Sequence, residues 1–357
     1  MPAHFHSLLI SKIERETPDC VSISFSIPKN LEAEYQFKQG QNIAIKTKIN
    51  GQDIRRNYSI CSSPLDNELT IAVKRISEGL FSNYANDTLQ VGDTLEVFPP
   101  SGKFFTELEA SNNKKYLAIA AGSGITPIIS IVKTTLAIES KSEFTLVLGN
   151  KTRQSIIFLE ALEALKNKYL SRFNLVHILS QEKTDDEFHN GRIDQNKLAS
   201  LGKILNFSTI DDIFICGPQQ LVIDTENYFV GQGIAQKNIH KELFTAKAPA
   251  KTNTVTDKTT EANKSQIIIT VDGRQTELEL GIGSQESILD AAIQKGADLP
   301  YACKGGMCCT CKAKLVEGEV SMDVHWGLEE EEIEKGFILT CQSHPKTQKV
   351  VIDFDSK

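Results

Sequence analysis

The 357-residue chain has one tryptophan and three methionines. It contains no apolar run near the roughly 18 residues needed to span a bilayer. Its first residues, Met1-Pro-Ala-His-Phe-His6, lack the basic stretch and apolar core of a secretory signal. A cytoplasmic protein is expected. No stretch is basic enough to read as a nucleic-acid groove, no internal repeat is visible, and no grouping of Ser, His and carboxylates suggests hydrolysis. The seven histidines are dispersed and read as structural. With 40% hydrophobic and 24% charged residues, wholesale disorder is excluded. A chain this long suits two or three cores.

Charge is unevenly placed. The net charge is −7, and residues 265–357 hold 9 Lys and Arg against 16 Asp and Glu, so the whole excess lies in the last quarter. A solvated surface is the plain reading, and docking to a basic protein surface is the functional one. Cysteine is uneven too. Cys303, Cys308, Cys309, Cys311 and Cys341 cluster near the C-terminus, which argues for a metal centre over a disulfide framework. Cys20, Cys61 and Cys216 are scattered and are expected to be buried thiols.

Periodicity divides the chain. Up to residue 110, short alternating runs (Val21–Ile27, Gln41–Lys46, Leu69–Lys74) between turn signals predict an antiparallel β-barrel. Over 111–245, strands at Tyr116–Ala120, Phe144–Leu148, Leu175–Leu179 and Ile213–Cys216 alternate with helical stretches at Ile128–Ile138 and Ile156–Tyr169. That pattern predicts a parallel α/β sheet. Residues 246–264 are rich in Ala, Lys and Thr and read as a linker. In 265–357, the runs Gln266–Val271 and Thr276–Leu280 flank a turn at Asp272-Gly273, and a helix follows near Ser287–Lys295. A ββα frame for a β-grasp domain is expected.

The strongest motif is Cys303-x4-Cys308-x2-Cys311, with Cys341 far downstream, which is the plant-type [2Fe–2S] ligand spacing. Three thiolates on one tight loop can surround one edge of a cluster while a distant fourth closes the cage; Gly305 and Gly306 allow backbone N–H groups to turn toward sulfur. A four-cysteine zinc site is the rival, but zinc sites usually pair two C-x2-C knuckles and only one is present. Cys309 breaks the spacing and reads as a bystander.

Weaker motifs precede it. Arg56-Asn-Tyr58-Ser59 offers a guanidinium for a pyrophosphate, a ring to cover an isoalloxazine and a hydroxyl for its N5. Gly79-Leu-Phe81-Ser82 can open a helix toward phosphate, although Ser82 could equally be an N-cap. Gly122-Ser-Gly124-Ile-Thr126-Pro127 stands between a strand and a helix, as a dinucleotide loop does, without being the G-x-G-x-x-G fingerprint. Cys216-Gly217-Pro218 could line the same crevice or be a buried Cys before a turn. Gly149-Asn150-Lys151-Thr-Arg153 is basic where an NAD site often has an acid, which leans toward the 2′-phosphate of NADPH.

In order, these motifs resemble a ferredoxin–NADP reductase-type module fused to a plant-type ferredoxin, over essentially the whole chain. The strings Arg55-Arg-Asn-Tyr-Ser-Ile-Cys61, Val97-Phe-Pro-Pro-Ser-Gly-Lys-Phe-Phe105 and Gly336-Phe-Ile-Leu-Thr-Cys-Gln-Ser-His-Pro345 resemble the reductase subunits of ring-1,2-phenylacetyl-CoA epoxidases, and sister reductases share much of them. The resemblance implies an NAD(P)H-dependent oxidoreductase that passes electrons through FAD and a [2Fe–2S] cluster to a di-iron oxygenase component. It implies FAD on Arg56, Tyr58, Ser59, Lys74, Gly79, Phe81, Ser82 and Phe244. The dinucleotide would lie on Gly122, Gly124, Thr126, Pro127, Asn150, Arg153, Gly217 and Pro218. Ser59, Cys216 and Glu242 would stand at the reacting atoms, and Cys303, Cys308, Cys311 and Cys341 would hold the cluster. Gln181 stands where relatives often have Arg, which weakens the NADPH expectation. A reductase for another oxygenase and a non-catalytic redox sensor are the alternatives.

Overall fold

The computed structural model describes residues 4–244 and 264–356. The expected linker therefore lies outside the described residues, except for Lys264, which opens a strand.

Alternation builds the first unit. Strands β1 (His6–Thr17), β2 (Cys20–Ser26), β3 (Asn42–Ile49), β4 (Gln52–Ser59), β5 (Leu69–Lys74) and β6 (Thr94–Val97) form one antiparallel sheet in the order β4-β3-β6-β1-β2-β5. Leu8, Ile10, Val21, Ile23, Ile43, Ile45, Ile71 and Val73 turn inward, and helix α1 (Leu80–Asp87) seals the core with Phe81. Strand β2 is buried on both faces because its outer residues, Cys20, Ser22 and Ser24, lie at the junction with the next unit. There Cys20, Cys61 and Ala72 join the core of the α/β unit, and Ser130 donates to the Ser62 carbonyl at 2.6 Å.

The second unit is a parallel sheet of β7 (Lys115–Ala121), β8 (Glu143–Asn150), β9 (Phe173–Leu179), β10 (Asp212–Gly217) and β11 (Ile239–Leu243), in the order β11-β10-β7-β8-β9. Helices α2 (Ile125–Ile138), α3 (Leu159–Lys168), α4 (Gln195–Leu205) and α5 (Gln219–Gly231) connect its strands. The order reverses between β7 and β10, so the crevice lies above their carboxyl ends. Helix α3 starts three residues later than periodicity suggests. Ile156 and Ile157 are buried from a non-helical turn, and Phe158 enters with φ 62°. Apolar spacing alone cannot separate a buried turn from a first helical turn.

The third unit has β12 (Lys264–Val271), β13 (Arg274–Gly281), α6 (Ile288–Gln294), β14 (Lys312–Glu317), β15 (Val320–Met322), α7 (Glu330–Glu334), β16 (Phe337–Leu339), β17 (Ser343–Pro345) and β18 (Lys349–Asp353). Its main sheet runs β13-β12-β18-β14-β16, with α6 packed across it as in a β-grasp. The Asp272-Gly273 turn has φ 54° and 68°, the left-handed pair that a two-residue hairpin needs. Among the described residues no helix is long and apolar enough to cross a membrane.

One buried carboxylate ties the segment that enters the second unit to the end of its first helix. Glu139, with no exposed surface, follows the last turn of α2. It accepts from Tyr116 (3.0 Å), Asn112 (2.7 Å), Ser142 (2.7 Å) and the Glu109 N–H (3.3 Å). Arg172 donates to the carbonyls of Leu136, Glu139 and Ser142, which closes the helix end. Glu139→Ala would strand several buried donors and should cost about 3 kcal/mol in urea unfolding; a loss under about 1 kcal/mol would show that the carboxylate is dispensable.

Candidate functional site

Strand register assembles the crevice. Cys216 on β10 pairs with Glu242 on β11 on one side and with Ala120 on β7 on the other, at the carboxyl ends of all three. From the barrel, the cross-strand pair Asn42 and Ser59 reaches over. Ser59 Oγ donates to Glu242 Oε2 at 2.8 Å, and the Asn42 side chain also bonds this carboxylate. Gly102 makes room for Asn42, since a Cβ there would meet its Nδ2 at 2.6 Å. Burial between the two units raises Glu242 from 4.5 to about 7, against the opposing pull of Ser59 and Asn42. Burial likewise keeps the Cys216 thiol neutral, well above its ordinary value. The arrangement can hold or release a proton at Glu242 near neutral pH. Asn42 was missed in the sequence, where an Asn opening a strand carries no motif.

The glycine-rich turn lies against this pair. A Cβ on Gly124 would collide with the Cys216 carbonyl, so its glycine serves close packing of the two motifs. Gly122 instead has φ 56° and open space beside it, which suits approach by a ligand. Thr126 donates its hydroxyl to the Ser123 carbonyl at 3.0 Å, and Pro127 is buried in the first turn of α2. Gly217 is buried behind the crevice, and Pro218 caps α5. At the end of β8, Asn150 is 8% exposed, and neither atom of its side-chain amide has a partner among the described residues. A buried amide left so is costly unless a ligand meets it, which fits a dinucleotide. Arg153 pairs with Glu163 at 3.1 Å, both largely exposed, while its N–H donates to Glu182 at 2.7 Å.

The flavin candidates lie along β4, β5 and α1. The Tyr58 ring packs on Phe81 with centroids 5.5 Å apart, and burial raises its hydroxyl above the ordinary range. Arg56 is exposed, with one nitrogen on the Arg55 carbonyl at 2.8 Å. Lys74 lies 3.7 Å from Asp19. Phe81 is buried in the barrel core, so only its backbone can face a ligand. Ser82 accepts from the Ile76 N–H and donates to the Gly79 carbonyl, which commits its hydroxyl to closing the turn before α1. Phe244 ends the described part of this unit with its ring exposed. An exposed guanidinium, an aromatic face and a helix start at Gly79 together suit a flavin nucleotide.

The cysteines fall into two touching pairs. Cys303 lies beside Cys308, whose sulfur accepts from the Cys303 N–H at 3.5 Å, and Cys311 lies beside Cys341, all four as free thiols. Two pairs suit two irons with two thiolates each, and a lone tetrahedral zinc fits poorly. Sulfur also receives donors suited to thiolate: Gly305 N–H to Cys303 at 3.3 Å, and Thr310 Oγ1 to Cys308 at 3.2 Å. Lys304, Gly306 and Cys309 have positive φ, which lets the loop coil this tightly. Cys309 turns away, its thiol donating to the Gly327 carbonyl at 2.6 Å. Cys20, Cys61 and Cys216 are buried free thiols.

Cluster and crevice are neighbours. Cys308 and Ala302 are buried against Ala44 and Phe98 of the barrel, and Ala44 lies two residues along β3 from Asn42. Met307 packs on the α/β core that contains Leu243, the residue after Glu242. Lys103 of the barrel lies 3.1 Å from Glu332 and 3.5 Å from Glu329. None of this was visible in the sequence, because a contact between domains leaves no periodic trace.

Comparison with known proteins gives three domain matches: an oxidoreductase FAD-binding domain over residues 7–106, an oxidoreductase NAD-binding domain over 118–227, and a 2Fe-2S iron-sulfur cluster binding domain over 269–346. The chain is 45% identical to a subunit of the 1,2-phenylacetyl-CoA epoxidase of Escherichia coli K12, over 99% of this chain and 98% of the relative. It is 32% identical to the ferredoxin reductase component of 3-ketosteroid-9-alpha-monooxygenase from Rhodococcus rhodochrous, over 97% and 96%. Among solved structures it is similar to phthalate dioxygenase reductase, described as modular for electron transfer from pyridine nucleotides to [2Fe–2S]. That likeness has a TM-score of 0.58 at 25% identity and covers 98% of each chain.

Cys309→Ser should leave the cluster's visible absorbance and about two irons per chain. Loss of iron in that variant would make Cys309 a ligand.

Proposed function

The chain belongs to the family that holds this 1,2-phenylacetyl-CoA epoxidase component and related oxygenase reductases, and from that premise we propose that its electron acceptor is the di-iron oxygenase component of a phenylacetyl-CoA epoxidase. The class of the reaction follows from the family. This is an NAD(P)H-dependent oxidoreductase that moves electrons from NAD(P)H through FAD to its own [2Fe–2S] cluster. Support for the particular acceptor is the 45% identity, which runs through all three domains, against 32% for the steroid monooxygenase reductase. An oxygenase of another substrate is the second reading, carried by that steroid relative. Eight thiols free of disulfides suit the cytoplasm.

When bound, FAD divides the electron pair of a hydride into single electrons, which the cluster can carry one at a time. The protein's part is placement. Arg56, Lys74 and the start of α1, through Gly79, Phe81 and Ser82, hold the flavin's phosphates and ribityl chain, while Tyr58 and Phe244 cover its ring. Gly122, Gly124, Thr126, Pro127, Gly217 and Pro218 shape the floor under the dinucleotide, with Asn150 at its adenosine end. Lys151 and Arg153 favour NADPH, because an exposed Arg153–Glu163 pair is weak enough to open for a phosphate. Ser59 orients Glu242 by donating to Oε2, and the Glu242 carboxyl stores a proton below about pH 7. Neutral Cys216 adds no charge beside the nicotinamide.

The observation that carries the reading is the burial of Cys308 against Ala44, two residues along β3 from the Asn42 that joins Ser59 and Glu242. Anaerobic titration with NADPH should bleach flavin and cluster bands together, with NADH weaker. Failure of both nucleotides would end the reductase reading. Turnover with the epoxidase's oxygenase component, and none with a steroid hydroxylase, is the expected acceptor result; the reverse would move the chain to the second reading.

Glu242 gives a pH prediction. Its carboxyl binds a proton more tightly folded than unfolded between about 4.5 and 7. Stability therefore falls as pH rises through that window and is flat above it. Thermal unfolding of Glu242→Gln should lack this fall, and its flavin-bleaching rate should lose an inflection near pH 7. Parallel pH profiles for variant and wild type would remove Glu242 from both roles.

A further inference from the structure

Consecutive residues on a strand face opposite ways, so Arg55 must point away from the flavin candidate Arg56. It points into the third domain. Its guanidinium lies over the Tyr301 ring, 4.1 Å from the centroid, and 5.4 Å from that of Phe5. One of its terminal nitrogens donates to the Leu299 carbonyl at 3.1 Å, and the other lies 3.4 Å from Asp298. Asp298 is 89% exposed, so that ion pair is weak. The Arg55 side chain is only 11% exposed, and its Nε has no partner among the described residues.

A buried cation with an orphaned N–H is a poor device for stability. It is a good device for register, because a planar fork over a ring and onto one carbonyl fixes both distance and rotation. Tyr301 is two residues from Cys303, and Ala302 beside it lies in the apolar contact that buries Cys308 on Ala44 and Phe98. The other barrel cation at this boundary, Lys103, reaches α7 and holds a point charge with no preferred rotation.

We propose that Arg55 is a positioning residue for internal electron transfer: its stack on Tyr301 and its bond to the Leu299 carbonyl hold the cluster loop against the barrel in the arrangement that lets an electron cross from flavin to cluster. The proposal rests on the reductase reading. Two electrons enter as one hydride and leave singly. Each would pass through the bound cluster to an external one-electron acceptor, and no bond forms or breaks in the crossing. Arg55 touches neither the reacting atoms nor the nucleotide crevice, so it acts on the second leg alone.

The test is rapid-mixing absorbance on full-length holoprotein with NADPH, where flavin and cluster bleach at different wavelengths, joined to hydrogen–deuterium exchange of the segment 298–301, read at the Asp298, Leu299 and Tyr301 amides since Pro300 has none, in the same protein. Arg55→Ala should leave flavin bleaching within twofold of wild type and slow cluster bleaching about thirtyfold, the scale of one desolvated cation–π contact. Exchange protection of 298–301 should fall about tenfold. Tyr301→Ala should do the same from the other side, the double variant should be no worse than either, and Tyr301→Phe should retain wild-type behaviour. Iron and FAD content, equal in all variants, separates mispositioning from misfolding. Cluster bleaching within twofold of wild type in both alanine variants overturns the proposal. If NADPH and NADH fail to bleach even the wild-type flavin, the reductase reading fails instead. The exchange data then decide alone: lost protection keeps Arg55 as the docking contact, and unchanged protection removes it.

Discussion

The contact on which the rest depends is Cys308 against Ala44 and Phe98. Electron transfer weakens steeply with distance, so a reductase that carries its own cluster must bring one ligand edge close to its flavin. In the proposed reading that edge is the buried Cys308, which shares a small apolar group with Ala44 of the barrel. A larger side chain at residue 44 would push the loop outward. On the same face of β3, Asn42 turns to Glu242, so one strand meets the crevice between barrel and α/β unit at its start and the cysteine loop two residues later. The tight coil of the cluster loop, with its left-handed Lys304, Gly306 and Cys309, presents Cys308 inward while Cys303 stays exposed.

The crevice also depends on the junction between barrel and α/β unit. Small or polar residues meet there: Cys20, Cys61, Ala72, Ser62, Ser63, Ser130 and Thr134. They let α2 lie close to the barrel, which places the Gly122–Gly124 turn near Ser59. Burial raises the thiols of Cys20 and Cys61, Cys20 to about 12, so both stay neutral and act as packing. Glu139 anchors the far end of the same helix, so its two ends are fixed by different means.

What could be read from sequence is what repeats locally. Alternation located the barrel strands and the Asp272-Gly273 turn located a hairpin, because each signal lies within a few residues. Arg55 and Arg56 show the limit. They are adjacent and alike, and only the pleat of β4 sends one outward to Tyr301. Glu242 came from a resemblance and not from its surroundings; its raised proton affinity arises from burial between two domains, which no local pattern reports. Ser82 and Phe81 show what a motif leaves unsaid. Both lie in the expected motif, yet one hydroxyl is committed to the turn and one ring to the core, so the motif describes a backbone shape more than a set of touching side chains.

The boundary between barrel and cluster domain is thin. Among the described residues it includes a small apolar group (Phe5, Ala44, Phe98, Ala302 and Cys308), one stacked guanidinium, Lys103 facing two glutamates, and His4 3.3 Å from Asp272. Two separate proteins joined by so little would bind weakly, since association first costs translational and rotational freedom. Covalent connection removes most of that cost and replaces concentration in solution with an effective concentration that reaches millimolar for short tethers. A thin interface then suffices to keep the cluster docked. Geometry at such an interface cannot come from sheer buried area, so it must come from directional contacts. A guanidinium laid flat on a ring and hydrogen-bonded to one carbonyl is the most directional contact this boundary contains.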